Sequence, residues 1–320
     1  MKKSFLPIIL TLLLVGLLVY QIDLSKAGRA FLSLSLPMVG KGLSLYFGYL
    51  LFITWRFYLL IHSRKISITH LAPVTSVHNM YNRLLPFRSG EVTYIYLLRK
   101  LKGLPAAEGV STLLIARIFD YLTISLYFLI GVGMTYQQQS PLLKKISLIM
   151  SFFLALAVIL LVFVGFLGEK TLSVAKKIAC RFELDRKPPV GKILGKLEEL
   201  VLSLKTISKG KTYALSLFSS VLVWGCMFSL CFLLMREFGI ELSFFSVVIG
   251  STFSILANVL PVNGLAGFGT MEASWTVGYM LMGVSKQAAI ASAFYVHIFV
   301  LAGAVIYGII GLLFTKRIAA

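Results

Sequence analysis

A series of apolar segments, each long enough to cross a bilayer, constrains this chain most. A transmembrane helix needs about 20 apolar residues, and runs of that length recur along the whole sequence. They lie at about 4–22, 42–62, 108–134, 143–168, 212–235 and 286–314. Hydrophobic residues make up 58% of the 320 positions and charged residues only 13%, which is more apolar surface than a soluble core can bury. The sequence therefore predicts an all-α, polytopic membrane helix bundle that forms one domain over residues 1–320.

Two further apolar stretches contain helix-breaking residues. The stretch at 66–91 is broken at Pro86, and the stretch at 243–282 is broken by Pro261 and the glycines that follow it. Such breaks expose backbone polar groups, which a membrane tolerates only where protein or a water-filled cavity covers them. We therefore expect two broken, re-entrant helical hairpins beside six full spans.

The distribution of positive charge predicts how the chain is oriented. With a cytoplasmic N terminus and hairpins that return to their side of entry, 22 Lys and Arg residues lie inside and 7 outside, while Arg83 and Arg117 fall within the membrane. An excess of positive charge inside is the usual pattern for membrane proteins, and it places the hairpins on opposite sides. It also explains the net charge of +19, so no nucleic-acid partner is expected.

The segment 169–211 is the longest polar stretch and is strongly basic. It carries eleven Lys and Arg residues against five acidic residues. Apolar residues at helical spacing within it predict an amphipathic helix on the cytoplasmic surface. These are Leu194, Leu197, Val201 and Leu204. The pattern fits a solvated loop that obeys the positive-inside rule as well as it fits a segment that binds lipid headgroups.

Three acidic residues, Glu91, Asp120 and Glu272, lie near or inside apolar segments. A charge at that depth is costly, so it faces a partner or a cavity. Asp120 follows Arg117 by three residues and Glu91 follows Arg88 by three, so the spacing allows a direct pair in each case. These pairs either lock helices together or take part in a functional site.

The second break has the composition of a ligand-binding turn. Gly264, Gly267 and Gly269 let the backbone approach a ligand closely, and Glu272 follows in the first turn of the next helix. Backbone amides at a helix N terminus attract phosphate, while a carboxylate there also fits a simple N-terminal cap. No strand precedes the glycines and no Walker-type loop occurs, so neither a dinucleotide cofactor nor ATP is expected.

The histidines and cysteines show no metal-ligand pattern. His62, His70 and His78 follow one another at intervals of eight residues, which indicates packing or hydrogen bonding rather than a metal site. His297, in the last span, is expected to pack against or bond to a neighbouring helix. The three cysteines have no metal-ligand spacing, so no metal is predicted.

Three segments resemble motifs of the lysylphosphatidylglycerol synthase transmembrane-region family. Residues 86–91 match its Pro-x-Arg-x-Gly-Glu signature, and Arg117 to Asp120 resemble its Arg-x-x-Asp helix. Residues 260–273 resemble its Pro-x-x-Gly-Gly-x-Gly-x-x-Glu-Ala segment, although the run after Pro261 is looser than in the family. The Trp55-Arg56 pair also resembles the family. The resemblance covers nearly the whole chain.

The resemblance implies that the protein handles lipids. The family includes the flippase-like half of the bacterial multiple peptide resistance factor, and the soluble aminoacyl-transferase domain of full-length synthases has no counterpart in these 320 residues. The implied function is to flip a phospholipid or polyprenyl-phosphate lipid across the bacterial cytoplasmic membrane. Both termini are expected on the cytoplasmic side from the charge distribution and the six full spans. A homodimer is implied as well. The alternatives are a membrane-embedded transferase acting on phosphatidylglycerol or a lipid-linked sugar, and a structural subunit without a substrate.

The interpretation as a flippase assigns the anionic headgroup of a membrane lipid to the residues around the two breaks. These candidate binding residues are Asn82, Arg88, Glu91, Arg117, Asp120, Asn263, Gly264, Gly267, Gly269 and Glu272.

Overall fold

The computed structural model describes six ranges of the chain: residues 34–61, 66–85, 90–138, 141–181, 210–257 and 265–319, with a few isolated positions elsewhere. The described residues are almost entirely helical and include no strand, which confirms the all-α class. The predicted span at 4–22 lies outside the described residues, as does most of the predicted surface helix from Leu194 to Leu204.

Nine α-helices can be followed through these ranges. They are α1 (Leu36–Leu60), α2 (Ile68–Leu84), α3 (Gly90–Lys102), α4 (Ala106–Thr135), α5 (Pro141–Arg181), α6 (Gly210–Glu237), α7 (Phe244–Ala257), α8 (Thr270–Leu281) and α9 (Lys286–Ala319). A short 3-10 turn, Leu265–Gly267, lies between α7 and α8.

Four of these helices are long and apolar enough to cross a membrane. They contain the stretches Leu36–Leu60, Glu108–Thr135, Gly210–Glu237 and Lys286–Thr315. In each of them, between 28% and 50% of the most apolar 18 residues are buried inside the bundle. The remaining apolar surface faces outward, where lipid covers it. These helices match four of the predicted spans, so the multi-pass membrane architecture is confirmed. The predicted span at 143–168 lies within α5.

The sequence determines where the helices on either side of the two breaks end and begin. Leu85, after the last residue of α2, is extended (φ −89°, ψ 140°), because a residue before proline disfavours the helical conformation. On the other side of the second break, α8 starts after Gly269, whose φ of 87° lies in the left-handed region that glycine adopts easily. Each break is thus flanked by two short helices, which pack against each other.

The packing of α1–α4 is repeated in α6–α9. In each set a long helix precedes two short helices that pack on each other, α2 on α3 and α7 on α8, and a second long helix follows. The first short helix of each set packs against the last helix of the other set, so that α2 contacts α9 and α7 contacts α4, while α1 and α6 lie side by side. This exchange is the pattern of an internal two-fold repeat, an arrangement that many transporters share. The insertion of the two hairpins from opposite sides stays a prediction.

The second pair of short helices approaches closely at a glycine, which leads to a prediction about stability. A Cβ atom added at Gly278 in α8 would overlap the carbonyl oxygen of Gly250 in α7 and lie 3.0 Å from Cβ of Phe253. A backbone oxygen cannot move aside as the end of a flexible side chain can. We expect Gly278→Ala to lower the free energy of unfolding by about 1–3 kcal/mol, the usual cost of overpacking.

Gly133→Ala in α4 is the matched control, because a Cβ atom at Gly133 meets nothing within 4 Å. The higher helix propensity of alanine alone should raise the free energy of unfolding by up to about 1 kcal/mol. Thermal unfolding in detergent measures both variants. Equal melting temperatures for the two would show that the close approach of α7 and α8 contributes nothing to stability.

Candidate functional site

A cavity of about 220 Å³ lies between the helices on both sides of the internal repeat. Residues of α1, α2, α4, α6, α7, α8 and α9 line it, together with the turn after the second break. Three arginines from three helices are among the lining residues: Arg56 of α1, Arg83 of α2 and Arg117 of α4. Charges within apolar segments are costly and usually mark a site or a partner, so the partners of each arginine decide its role.

Arg56 is held in a buried ion pair. Its Nη1 atom lies 2.6 Å from Asp120 Oδ1 and its Nη2 atom lies 3.2 Å from Oδ2, and Arg56 as a whole is only 3% exposed. Arg56 also donates to Ser220 Oγ, while Trp224 Nε1 donates to Asp120 Oδ1. Because these bonds join α1, α4 and α6, the pair locks three helices together.

Arg117 forms a second pair, which is more accessible. Its Nη2 atom lies 3.0 Å from Glu91 Oε1 on α3, and the two side chains are 29% and 34% exposed. The pair of Arg117 with Asp120, which the spacing allows, is not formed, since Asp120 binds Arg56 instead. Arg88 lies outside the described residues, so its predicted pair with Glu91 stays a prediction, although Glu91 already has Arg117 as a partner.

Arg83 meets no carboxylate among the described residues. Its guanidinium carbon lies 5.8 Å from the ring centroids of both Tyr46 and Tyr49, a cation–π distance. The Nε atom of Arg83 and the Oδ1 atom of its neighbour Asn82 are buried without a hydrogen-bond partner. Among the described residues that line the cavity, Arg83 is therefore the one cation without a neighbouring carboxylate.

The two tyrosines beside Arg83 are fixed by Asn79, one turn earlier on α2. Tyr46 donates its hydroxyl to Asn79 Oδ1 at 2.6 Å, and Asn79 Nδ2 donates to the Tyr49 hydroxyl at 3.2 Å. The Nε atom of Arg83 and the Oδ1 atom of Asn82 take no part in these bonds, and neither atom has another hydrogen-bond partner. A donor and an acceptor are therefore still available beside a preorganised aromatic pair.

The third predicted acid, Glu272, lies at the second break and is completely buried. Its Oε2 atom accepts the Gly269 N–H at 2.7 Å, and its Oε1 atom lies 2.5 Å from Nδ1 of His297 on α9. Of the two interpretations of Glu272, the structure shows the N-terminal cap. The prediction that His297 bonds to a neighbouring helix is confirmed.

Two other histidines, His78 and His70, form hydrogen bonds, as predicted. His78 donates its Nδ1–H to the carbonyl oxygen of Gly90 and packs against the ring of Tyr94. His70 bonds to Ser67 at the start of α2. His62 lies outside the described residues.

The structure brings most of the described candidate residues to one region. Asn82, Arg117, Asp120 and Gly267 line the cavity. The 3-10 turn that contains Gly267 also contacts α2, so the regions of the two breaks meet. Candidate residues next to this lining are Glu91, which binds Arg117, and Gly269 and Glu272, which bind each other. Candidate residues outside the described part of the chain are Arg88, Asn263 and Gly264.

Sequence reasoning assigned no role in the site to two of the cavity arginines, Arg56 and Arg83. The charge count places Arg56 among the 22 inside residues, since it lies near the end of a predicted span, but the structure buries it within the bundle. Arg83 was placed in the membrane but given no role, since no acid lies near it in sequence. One signal was available, because Asn79, Asn82 and Arg83 share one helical stretch that is otherwise largely apolar.

A comparison with protein-family models identifies the chain. The model described as lysylphosphatidylglycerol synthase TM region matches residues 4–308. The chain belongs to this family. No curated protein matches it. Membership in the lysylphosphatidylglycerol synthase transmembrane-region family makes it a lipid-related membrane protein, and it confirms the resemblance seen in the sequence motifs. The matched region contains all three cavity arginines and both breaks.

Proposed function

We propose that this protein translocates an anionic lipid, either a phospholipid or a polyprenyl-phosphate lipid, between the leaflets of the bacterial cytoplasmic membrane. In this proposal both termini are cytoplasmic, as the positive-inside rule indicates. The observation that carries the proposal is Arg83, a cation without a compensating acid among the described residues, in a cavity between two helix breaks. A phosphate group supplies the missing negative charge.

Arg117 is the second cation that we assign to the headgroup. Its side chain is 29% exposed and lines the same cavity, so a phosphate can replace or share its contact with Glu91. Arg56 is excluded from this role, because both of its terminal nitrogens are already bound to Asp120. Arg88 belongs to the same proposed headgroup site through its position in the first break.

The internal repeat supports movement of the lipid rather than simple binding. A translocase must open its site to each side of the membrane in turn, and a two-fold repeat supplies two equivalent arrangements for this purpose. The cavity lies where the two halves exchange helices, with α2 on α9 and α7 on α4. Rocking one half against the other would therefore open the cavity toward alternate leaflets.

Reconstitution tests the proposal directly. The full chain is incorporated into phosphatidylcholine vesicles that contain phosphatidylglycerol labelled on an acyl chain, and a membrane-impermeant reductant quenches the label in the outer leaflet. We expect protein-dependent loss of the protected inner-leaflet fraction for labelled phosphatidylglycerol or a labelled polyprenyl phosphate, and a slower loss for labelled phosphatidylcholine. If no anionic lipid moves, the proposal fails. Mass spectrometry of the same vesicles detects a chemically altered lipid if the protein is instead a transferase.

A further inference from the structure

The headgroup contacts proposed above are arginines, and Glu272 and His297 have no role in them, although these two residues form the most deeply buried ionisable pair among the described residues. Their side chains are 0% and 4% exposed. His297 belongs to the long helix α9 and Glu272 to the first turn of α8, so the pair connects the second break to a membrane span. A buried ionisable pair of this kind inside a membrane protein requires an explanation of its own.

The geometry of the pair fixes how many protons it needs. His297 Nε2 lies 3.1 Å from the carbonyl oxygen of Ala266, which only accepts hydrogen bonds, while Nδ1 faces Glu272 Oε1. A neutral imidazole carries one N–H and a carboxylate carries none, so together they can form only one of these two bonds. One additional proton completes both, whether it resides on the imidazole or on the carboxyl group.

Both bonds hold the turn of the second break in place. Ala266 is bound by His297, and Gly269 donates its N–H to the other oxygen of Glu272. Ala266 has a φ of 51°, a left-handed conformation that costs energy for a residue with a side chain. When the additional proton leaves, one of the two bonds to His297 is lost and the strained turn is released.

The same turn forms part of the headgroup cavity, since Ala266, Gly267 and His297 line it together with Arg83. We infer that the Glu272–His297 pair is a proton-binding site that couples lipid movement to proton movement. This inference rests on the proposed function. An anionic headgroup in the cavity attracts the additional proton, so lipid and proton bind together and leave together. The other titratable or charged groups that line the cavity are Tyr49 and Arg56 on α1, His78 and Arg83 on α2, Arg117, Asp120 and Tyr121 on α4, and Cys231 on α6.

Hydrogen exchange tests the proton-dependent turn without any transport. In the wild-type protein, protection of the segment 265–272 should be lower at about pH 8 than at about pH 5, after correction for intrinsic exchange rates. In Glu272→Gln the amide group donates to Nδ1 and its oxygen still accepts from Gly269, so protection should be equal at both pH values. His70→Gln, at the far end of α2, is the control and should keep the wild-type difference. A wild-type segment without this difference, or a Glu272→Gln segment that retains it, would overturn the inference.

A pH gradient across the vesicles tests the coupling. A difference of one pH unit changes a one-proton equilibrium by a factor of about ten, so reversing such a gradient should change the direction of net phosphatidylglycerol movement in the wild type and His70→Gln but not in Glu272→Gln. If net lipid movement in the wild type has the same direction under both gradients, the inference is overturned and the proposed function stands. Absence of lipid movement under every gradient would remove the proposed function, and the exchange experiment alone would then decide whether the pair binds the proton.

Discussion

Asp120→Ala is expected to lower the free energy of unfolding by about 3–5 kcal/mol, the usual cost of breaking a buried ion pair by removing one partner. The substitution removes both carboxylate acceptors of Arg56 and the acceptor of Trp224 Nε1. Arg56, only 3% exposed, would then be a buried cation without a carboxylate. Because the lost bonds join α1, α4 and α6, we expect the whole bundle to be destabilised.

Thermal and chemical unfolding in detergent, followed by size-exclusion chromatography, measure this effect. The double variant Arg56→Met/Asp120→Leu removes both charges and should recover most of the lost stability, since apolar replacement of a buried pair is often neutral. Glu198→Gln is the matched control for an exposed pair. Glu198 lies 2.8 Å from Lys176 with both side chains nearly half exposed, so its loss should cost less than about 1 kcal/mol.

The result also decides between the two interpretations of Asp120 that the sequence leaves open. A helix lock predicts loss of folding in Asp120→Ala and its recovery in the double variant. A substrate ligand predicts the opposite, with normal stability and impaired lipid movement. Normal stability of Asp120→Ala would therefore contradict the role as a lock that the geometry supports.

The spans and breaks could be predicted because their causes are local. A run of apolar residues such as 286–314 produces a membrane helix whatever its neighbours are, and the structure shows α9 there. Pro86 acts on the residue before it, so the end of α2 at Leu84 follows from the sequence alone. The positive φ of Gly269 also has a local cause, because the turn needs a residue that adopts this conformation and glycine does so easily.

The partners of the buried charges could not be predicted, because they depend on which helices face each other. The spacing of three residues between Arg117 and Asp120 places them near each other on one helix, but a guanidinium from α1 reaches Asp120 with two bonds. Arg117 then binds Glu91 on α3 instead. The charged residues could therefore be identified from the sequence, but their partners are determined by how α1, α3 and α4 pack.

Arg83→Gln is expected to slow the movement of anionic lipid by a factor of about 10 to 100. Loss of a hydrogen bond to a charged group costs about 1.5–3 kcal/mol, and each 1.4 kcal/mol is a factor of ten. Glutamine is uncharged and shorter, so it cannot compensate the phosphate. The Tyr46–Asn79–Tyr49 hydrogen bonds do not involve Arg83 and should survive the substitution. The initial rate of labelled phosphatidylglycerol movement in vesicles measures the effect.

Arg236→Gln is the matched control for this prediction. Arg236 also lies in the last turn of a helix and over an aromatic ring, at 5.9 Å from the centroid of Phe232, but it is exposed and does not line the cavity. Both substitutions remove one positive charge, but Arg83→Gln removes two cation–π contacts and Arg236→Gln removes one. Each contact is worth about 0.5–2 kcal/mol, so thermal unfolding of both variants in detergent is used to correct for their difference in stability. A difference in lipid movement between them therefore reports the headgroup contact and not general destabilisation.

Arg83→Lys separates charge from geometry. Lysine keeps the positive charge but lacks the planar guanidinium, which can bind two phosphate oxygens at once. If Arg83 binds the phosphate in this way, Arg83→Lys should lie between the wild type and Arg83→Gln in the rate of lipid movement. If Arg83 only supplies positive potential to the cavity, the lysine variant should match the wild type. Equal rates for the wild type and Arg83→Gln would show that the charge without a compensating acid does not bind the headgroup, and the proposed site would then reduce to Arg117 and the first break.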